Sequence, residues 1–358
     1  MKPDAHWIQR AQDAAERQLP GQHVDIELLP PHGSQRRYAR VQTHTHDAND
    51  PKSLILMLLP EPDAAPAEAG SIRVDRASDE PFIDVARWLE AAQVPAPRVL
   101  ATDDRARAIW LNDLGRTDLD QALAQGPLTQ PDAYRKALNL LQQFQNAAAH
   151  PARPAFTDDR ALDAKLLRWE LEHYVEWRFE RRLKLHLNAE ERDALNTAFD
   201  YIVGALTSLP QTTVHRDFQS HNIMVLDSGE LAIIDFQDAL QGPIVYDAVA
   251  LLRDSYIELP APLLQQLVQQ WAENASADAA VNPRTLVQAF HIQTIQRKLK
   301  DTGRFDLFDI QQGKSGFLQY QPASVRYVQH AIQQLSAIEE LHGLKRVLQQ
   351  HEPLWNTP

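Results

Sequence analysis

The segment that decides the fold reads VHRDFQSHNIMV at residues 214–225 and resumes, after a short turn, as LAIIDFQD at residues 231–238. Each half joins a short apolar run, which predicts a strand, to a polar loop. Asp217 and Asn222 lie in the first loop, and Asp235 follows the second apolar run. The segment predicts an island of β structure, because nearly all of the chain after Leu119 otherwise has helical spacing.

The polar residues of this segment indicate one kind of chemistry. An acid in a loop can accept a hydroxyl proton, and the amide of Asn222 can fold back to a metal ion that the carboxylate of Asp235 holds from the other side. Phosphoryl transfer needs these parts, since its catalysis is mostly positioning and charge neutralisation by Mg²⁺. A lone His-x-Asp sequence is also typical of an ordinary turn, in which the Asp caps a helix and the His packs in the core.

The ordered set resembles the catalytic loop and the metal-binding Asp-Phe-Gly segment of protein kinases, in the variant form of aminoglycoside phosphotransferases, choline kinases and related sugar kinases. The resemblance implies that Asp217 is the catalytic base, that Asn222 is a magnesium ligand and that Asp235 bridges the metal to the phosphates of ATP. Gln237 stands where protein kinases have glycine. ATP and Mg²⁺ are therefore the expected cofactors.

Two residues beside this set have expected supporting roles. In the resembling family, the acid at the position of Asp247 braces the catalytic loop. The alternative is an acid in the first turn of a helix, where the helix dipole favours negative charge in any protein. We expect His215 to support the loop through hydrogen bonds rather than to act as a nucleophile.

The rest of the chain is predicted to form an α+β, bilobal, protein-kinase-like fold. Apolar runs between Pro, Gly, Asp and Asn predict five antiparallel strands at Val24 to Leu29, Arg37 to Thr43, Ser53 to Leu59, Arg98 to Thr102 and Ala108 to Leu111. Helical spacing predicts helices at Pro81 to Leu89, Asp132 to Ala149, Leu162 to Phe179, Glu190 to Leu209, Leu263 to Ala272, Thr285 to Leu299 and Ser324 to Leu341. We assign residues 1–114 to a nucleotide-binding lobe and residues 115–358 to a helical catalytic and substrate-binding lobe.

The connection between the first two strands is a candidate phosphate-binding hairpin. Backbone amides at Gly33 and Ser34 could cradle phosphate oxygens, and Arg37 and Arg40 supply positive charge. The alternative is a solvated basic hairpin. Protein kinases carry a Lys on the third strand, where this chain has Met57 in the expected place, so we hypothesise that an arginine replaces it.

The fifth strand leads into a candidate hinge. Asn112 and Leu114 occupy the position at which the backbone would bind adenine. An ordinary turn that uses the conformational freedom of Gly115 is the alternative.

Further matches narrow the resemblance to bacterial N-acetylmuramate/N-acetylglucosamine anomeric kinases. They are GSQRRYAR at residues 33–40, WLNDLG at 110–115 and QRKLKDTGRF at 296–305. The resemblance implies phosphorylation of the anomeric hydroxyl, giving a sugar 1-phosphate for cell-wall recycling. A sugar with a carboxylate would favour the basic third match, which is alternatively a solvated helix face. Gly33 and the ending of the third strand at Pro60 depart from the pattern.

Bulk properties exclude several other classes. The chain has 358 residues and no cysteine, so thiolate catalysis and cysteine-bound metals are excluded. A net charge of −12 opposes non-specific nucleic-acid binding. The longest apolar run is too short to span a membrane and no secretory signal is evident, so we expect a cytoplasmic protein.

The expected partners are a small sugar and ATP, without nucleic acid or membrane, and the expected assembly is a monomer or weak dimer. Two alternatives stay open. One is a kinase for an aminoglycoside, a choline-like amine or another sugar. The other is a catalytically silent nucleotide-binding regulator, which the absent strand lysine suggests.

Overall fold

A five-stranded antiparallel sheet forms the amino-terminal part of the computed structural model, which describes residues 3–30, 36–44, 52–60, 81–126 and 128–356. The elements are α1 (Pro3–Gln18), β1 (Val24–Leu28), β2 (Arg37–Thr43), β3 (Ser53–Leu58), α2 (Pro81–Ala91), β4 (Val99–Asp103) and β5 (Ala108–Asn112). The strand order is β1-β2-β3-β5-β4, and every neighbouring pair is antiparallel. The five predicted strands and the helix at Pro81 are confirmed.

Helix α1 is an element that the sequence analysis did not predict. Its alanines, among them Ala11 and Ala14, pack in one buried cluster with sheet residues such as Val41, Leu56 and Trp110. Alanine has the highest helix propensity but little apolar surface. The helix therefore has no strong apolar stripe, although it covers one face of the sheet.

The remainder of the chain is mostly helical, as predicted. Its elements are α3 (Leu119–Gln125), α4 (Gln130–Asn146), α5 (Phe156–Asp159), α6 (Ala164–Tyr174), α7 (Ala189–Thr207), β6 (Gln211–Val214), β7 (Ile223–Val225), β8 (Leu231–Ile233), β9 (Leu240–Pro243), α8 (Tyr246–Leu252), α9 (Ala261–Ala279), α10 (Pro283–Gln312), α11 (Gln321–Gln334) and α12 (Glu340–His351). A π-helical segment, Val175–Arg182, continues α6. Two-stranded sheets pair β6 with β9 and β7 with β8.

Three predicted helices have the wrong extent, and one of them, predicted from Leu263 to Ala272, continues as α9 to Ala279. The segment from Ser324 to Leu341 is not one helix, because α11 ends at Gln334 and α12 begins at Glu340. The helix predicted to stop at Leu299 continues to Gln312. The helical spacing of apolar residues ends at Leu299. The polar residues that follow, from Lys300 to Thr302, are buried nevertheless, so the helix continues in the protein interior.

Close packing fixes the course of α10. A Cβ atom added to Gly303 would lie 2.8 Å from Cα of Tyr174, so α6 and α10 approach each other backbone to backbone at this point. Only glycine fits such a contact without displacing a helix.

The chain divides into two compact units, Met1–Arg116 with Met224–Ile234 and Thr117–Ile223 with Asp235–Pro358. The assignment of nucleotide binding to residues 1–114 and of catalysis to residues 115–358 stays a prediction. The segment from Pro60 to Gly70, whose Pro, Ala and acidic residues predict a surface loop, lies after its first residue outside the described residues. Among the helices that the structure describes, none combines the length and the apolar character needed to cross a membrane.

Candidate active site

The polar loop of residues 215–219 lies between β6 and a short 3₁₀ turn at Ser220–Asn222. Arg216 has a left-handed backbone with a φ of 77°, a conformation that costs a residue with a long side chain about 1–3 kcal/mol. This bend precedes Asp217, whose side chain is 52% exposed. The loop therefore presents the predicted base to solvent, although its flanks are buried.

Asp247, in the first turn of α8, holds the start of this loop. Its two carboxylate oxygens accept hydrogen bonds from the backbone N–H groups of His215, at 2.6 Å, and Arg216, at 3.1 Å. The side chain is fully buried, and burial raises its pKa to about 6 although His215 and these hydrogen bonds act in the opposite direction. The His215 ring packs between Phe144 and Phe218. Asp247 thus contacts the loop directly, whereas His215 is part of the loop and its predicted hydrogen-bonding role stays a prediction.

Asp254, just beyond the other end of α8, holds the end of the same loop. One of its oxygens accepts from the backbone N–H of Ser220 at 2.9 Å and from the Ser220 hydroxyl at 2.6 Å. The other accepts from the N–H of Tyr256. Asp247 lies at one end of α8 and Asp254 just beyond the other, so the two acids hold both the start and the end of the loop.

The carboxylate of Asp217 faces a buried arginine. Nη2 of Arg297, on α10, lies 3.4 Å from Oδ1 of Asp217, and its Nη1 donates to the carbonyl oxygen of Arg216 at 2.9 Å. Desolvation acts to raise the pKa of Asp217, but the charges of Arg297, Arg216, Lys300 and Arg304 outweigh it and lower that pKa. The carboxylate is therefore ionised at neutral pH.

Asn222 and Asp235 offer oxygen ligands. Nδ2 of Asn222 donates to the carbonyl oxygen of Asp217 at 2.8 Å, which fixes the amide and leaves Oδ1 as the atom that could bind a metal ion. Asp235 has a φ of 63° and accepts a hydrogen bond from Gln237 at 2.8 Å. Burial raises the pKa of Asp235, and the negative charge of Asp217 adds to this effect against the Gln237 hydrogen bond.

These groups fit a magnesium ion on chemical grounds. Mg²⁺ prefers carboxylate, amide and water oxygens, and two carboxylates that repel each other are stabilised by a cation. In the part of the chain that the structure describes, Oε1 of Gln237 is a buried acceptor without a hydrogen-bond partner. A metal-bound water is a donor of the kind that this atom lacks.

The predicted nucleotide-binding residues that the structure describes all lie in the first unit, Met1–Arg116 with Met224–Ile234. Gly33 and Ser34 fall outside the described residues. Arg37 lies at the start of β2, and its Nη2 is 3.7 Å from a carboxylate oxygen of Asp4. Leu114 is half-buried just beyond β5. Asn112 ends β5 and accepts from the N–H of Arg98 at 2.6 Å.

Arg40 is buried, and its guanidinium forms hydrogen bonds to other residues of the same unit. Its guanidinium donates to both oxygens of Asp113, at 2.6 and 3.1 Å, and to the carbonyl oxygen of Gly115 at 2.6 Å. Ser53 donates to the same carboxylate at 2.6 Å. Arg40 and Asp113 therefore fix the chain that leaves β5, and a phosphate-binding role for Arg40 stays a prediction.

Sequence analysis missed three residues that organise these sites, namely Asp113, Asp254 and Arg297. Asp113 lies within the quoted WLNDLG match and Asp254 follows α8, but a polar residue at a turn does not reveal its partner. Arg297 belongs to a basic helical stretch that fits a solvated face equally well. Its burial is the signal that the sequence does not carry.

The fold defines the class of protein. A choline/ethanolamine kinase family protein from Mesorhizobium loti matches with a TM-score of 0.58 and 13% identity, covering 96% of this chain and 99% of that chain. The GDP complex of aminoglycoside 2'-phosphotransferase-IIIa matches with a TM-score of 0.57 and 15% identity, covering 93% and 100%. At these identities the similarity shows the fold alone, which is protein-kinase-like.

The sequence then gives the family. The model of the phosphotransferase enzyme family known as APH matches residues 25–282, so the chain belongs to this family and is a kinase. It is 29% identical over 335 residues to an N-acetylmuramate/N-acetylglucosamine kinase of Pseudomonas aeruginosa, covering 92% of this chain and 91% of that protein. A protein of the same name from Neisseria meningitidis serogroup B is 29% identical over 275 residues, covering 75% and 80%.

Proposed function

We propose that the protein transfers the γ-phosphoryl group of ATP to the anomeric hydroxyl of an N-acetylated amino sugar, N-acetylmuramate or N-acetylglucosamine. The product would be the sugar 1-phosphate, which suits a cytoplasmic route of cell-wall recycling. The observation that carries the proposal is the ionised, half-exposed carboxylate of Asp217 held beside Arg297. The names of the two relatives support the choice of sugar.

Asp217 would act as the base. Its carboxylate orients the sugar hydroxyl through a hydrogen bond and receives the proton as the hydroxyl oxygen bonds to phosphorus. The bond between the γ-phosphorus and the oxygen that joins it to the β-phosphate breaks as the new bond forms, and ADP leaves. Because the pKa of Asp217 is lowered, this carboxylate takes the proton late, when the phosphorus–oxygen bond has largely formed.

Arg297 would serve two purposes in this step. It fixes the loop through the carbonyl oxygen of Arg216, and it places a permanent positive charge beside the reacting oxygens. Positive charge that is already in position stabilises the developing negative charge without reorganisation of solvent. His215 and Asp247 would contribute only by keeping the loop in shape.

Asn222 and Asp235 would hold magnesium, which neutralises charge on the phosphoryl group when it is bound. Gln237 would keep the Asp235 carboxylate oriented through the hydrogen bond between them. ATP binding is proposed for residues 1–114, with Gly33, Ser34, Arg37 and Arg40 at the phosphates. Asn112 and Leu114 would offer backbone groups to adenine.

The test is a substrate panel followed by ADP release. The purified protein is incubated with ATP and Mg²⁺ and with N-acetylmuramate, N-acetylglucosamine, kanamycin or choline. Asp217→Asn is the matched control, because it keeps the volume of the side chain and removes the base. Turnover of the N-acetylated sugars that the variant loses, with an acid-labile phosphate in the product, is the expected result.

Other outcomes discriminate between the alternatives. Turnover of kanamycin or choline alone would keep the mechanism and refute the substrate. An acid-stable phosphate would refute transfer to the anomeric position. Magnesium-dependent ATP binding without any turnover would favour the regulatory alternative.

A further inference from the structure

Two histidines and an aspartate meet at one end of the β1–β2 pair. Asp25 lies on β1, His23 immediately precedes that strand, and His44 immediately follows β2. Val24 pairs with Thr43 in the antiparallel register of the two strands. One step further along, the backbone N–H of His44 donates to the carbonyl oxygen of His23 at 3.2 Å. The two histidines are therefore directly opposite each other.

The three side chains share the face of the sheet that is turned away from α1. Val24 and Ile26 pack against the buried cluster that α1 forms with the sheet. Because successive side chains of a strand point to opposite faces, His23 and Asp25 point to the other face. His44 shares that face, since directly opposite residues of an antiparallel pair have neighbouring side chains. All three residues are exposed, so an ion can reach them from solvent.

The potential ligand atoms of these side chains are already close together. One ring nitrogen of each histidine and one carboxylate oxygen of Asp25 all lie within 4.8 Å of one another. Nε2 of His44 is 2.7 Å from Oδ2 of Asp25, and the ring centroids of His23 and His44 are 5.1 Å apart. Ligand atoms around a tetrahedral zinc ion are roughly 3.3 Å apart, because each bond is about 2.0–2.1 Å long. Exposed side chains change rotamer within nanoseconds, so the remaining difference needs no movement of the backbone.

This set of ligands suits a transition-metal ion better than magnesium. Imidazole nitrogen is a preferred ligand of zinc, copper and nickel ions, whereas Mg²⁺ prefers oxygen ligands. Zinc has no geometric preference from its d electrons, so it tolerates a site built on two strand ends. The carboxylate of Asp25 offsets one positive charge of the ion, and the net charge of the chain, −12, favours the approach of cations.

We propose that His23, Asp25 and His44 form a zinc-binding site, with solvent completing the coordination. All three residues belong to the first unit, whereas Asn222 and Asp235, the proposed magnesium ligands, belong to the second. Bound zinc joins β1, which lies at the edge of the sheet, to β2 at the end where β1 begins. An ion that binds the folded chain and not the unfolded one stabilises the folded state by mass action.

The test is a Zn²⁺ titration of the full-length protein in excess Mg²⁺ and without ATP. A chromophoric chelator that competes for Zn²⁺ gives the dissociation constant. His23→Gln and His44→Gln each remove ring nitrogens, and Asp25→Asn removes the charge but keeps an oxygen that can accept the hydrogen bond from His44. His186→Gln is the matched control, because it removes an exposed histidine from outside the cluster.

Each of the three test variants should raise the Kd for Zn²⁺ by at least about tenfold, since loss of a group that only supports a ligand already costs about 10–100-fold. The control should bind Zn²⁺ as the wild type does. Zn²⁺ should also slow hydrogen exchange of the backbone amides of β1, because it opposes local opening of the edge strand. The three variants should lose this protection.

The outcomes decide the zinc site independently of the proposed function, since no part of the measurement requires turnover. A wild-type Kd equal to that of the three variants would overturn the proposal, because any bound zinc would then lie elsewhere. A Kd that changes in the histidine variants but not in Asp25→Asn would refute the three-residue site. Zinc binding that leaves hydrogen exchange in β1 unchanged would refute the role of the ion in joining β1 to β2.

Discussion

Replacing Asp247 by asparagine tests how the loop that bears Asp217 is held. The carboxylate is fully buried and accepts the N–H groups of His215 and Arg216. An amide of the same shape retains one acceptor oxygen, but it turns an NH₂ group towards the other N–H. A buried donor left without an acceptor costs about 1–3 kcal/mol. The substitution also removes a buried charge, so two effects of opposite sign compete.

The size of the second effect follows from the pKa. Burial raises the pKa of Asp247 from 3.8 to about 6. At about 1.36 kcal/mol per unit, the buried charge costs roughly 3 kcal/mol above pH 7. Because the folded-state pKa is the higher one, the contribution of this group to stability is present at low pH and is lost as the pH rises through about 6. The two effects of the substitution nearly cancel at about pH 8.

Urea unfolding of the wild type and Asp247→Asn between about pH 5 and pH 8 measures the balance. Near pH 8 we expect the two free energies of unfolding to agree within about 1 kcal/mol. Towards pH 5 the wild type should gain roughly 1–2 kcal/mol relative to the variant, since the variant has no group that titrates at this position. Asp193→Asn, on the exposed surface of α7, is the control. A difference that stays constant with pH, or one that grows towards alkaline pH, would refute the assignment.

Three further predictions concern residues of the second unit, Thr117–Ile223 with Asp235–Pro358. Ser220→Ala removes the hydroxyl bonded to Asp254 and should lower the free energy of unfolding by about 1–2 kcal/mol and also lower kcat; urea unfolding and steady-state kinetics check this, and unchanged values of both would contradict it. Glu352→Gln removes the charged partner of the buried Arg178 and should cost about 3–5 kcal/mol, seen as a lower Tm, whereas a loss below about 1 kcal/mol would argue against a structural ion pair. Asn222→Ala should raise the Mg²⁺ concentration needed for half-maximal activity by about tenfold, and an unchanged titration curve would exclude Asn222 as a ligand.

The sequence predicts best where an element and its signal are local. The five strands follow from short apolar runs between turn residues, and the loop bearing Asp217 and Asn222 is one continuous stretch. Helix α1 escapes this kind of prediction because its packing face is built from alanines, whose spacing leaves little apolar contrast. The carboxyl-terminal end of α10 was not predicted because buried polar residues interrupt the helical spacing of its apolar residues.

The spacing of residues along the sequence does not predict the contacts that residues far apart in the chain make within the site. Asp254 is 34 residues from Ser220, and Arg297 is 80 residues from Asp217. Nothing local to Arg297 distinguishes a buried guanidinium from a solvated one. Only the packing of α10, which Gly303 permits by its contact with Tyr174, removes this face from water.

The helices α8 and α10 hold the loop that bears Asp217 through different kinds of group. Asp247 in α8 and Asp254 just beyond it satisfy backbone donors, so they fix the shape of the loop. Helix α10 contributes the guanidinium of Arg297, which contacts both the carboxylate of Asp217 and the carbonyl oxygen of Arg216. A change at Asp247 or Asp254 should therefore alter the shape of the loop, whereas a change at Arg297 should alter both its shape and the charge beside Asp217.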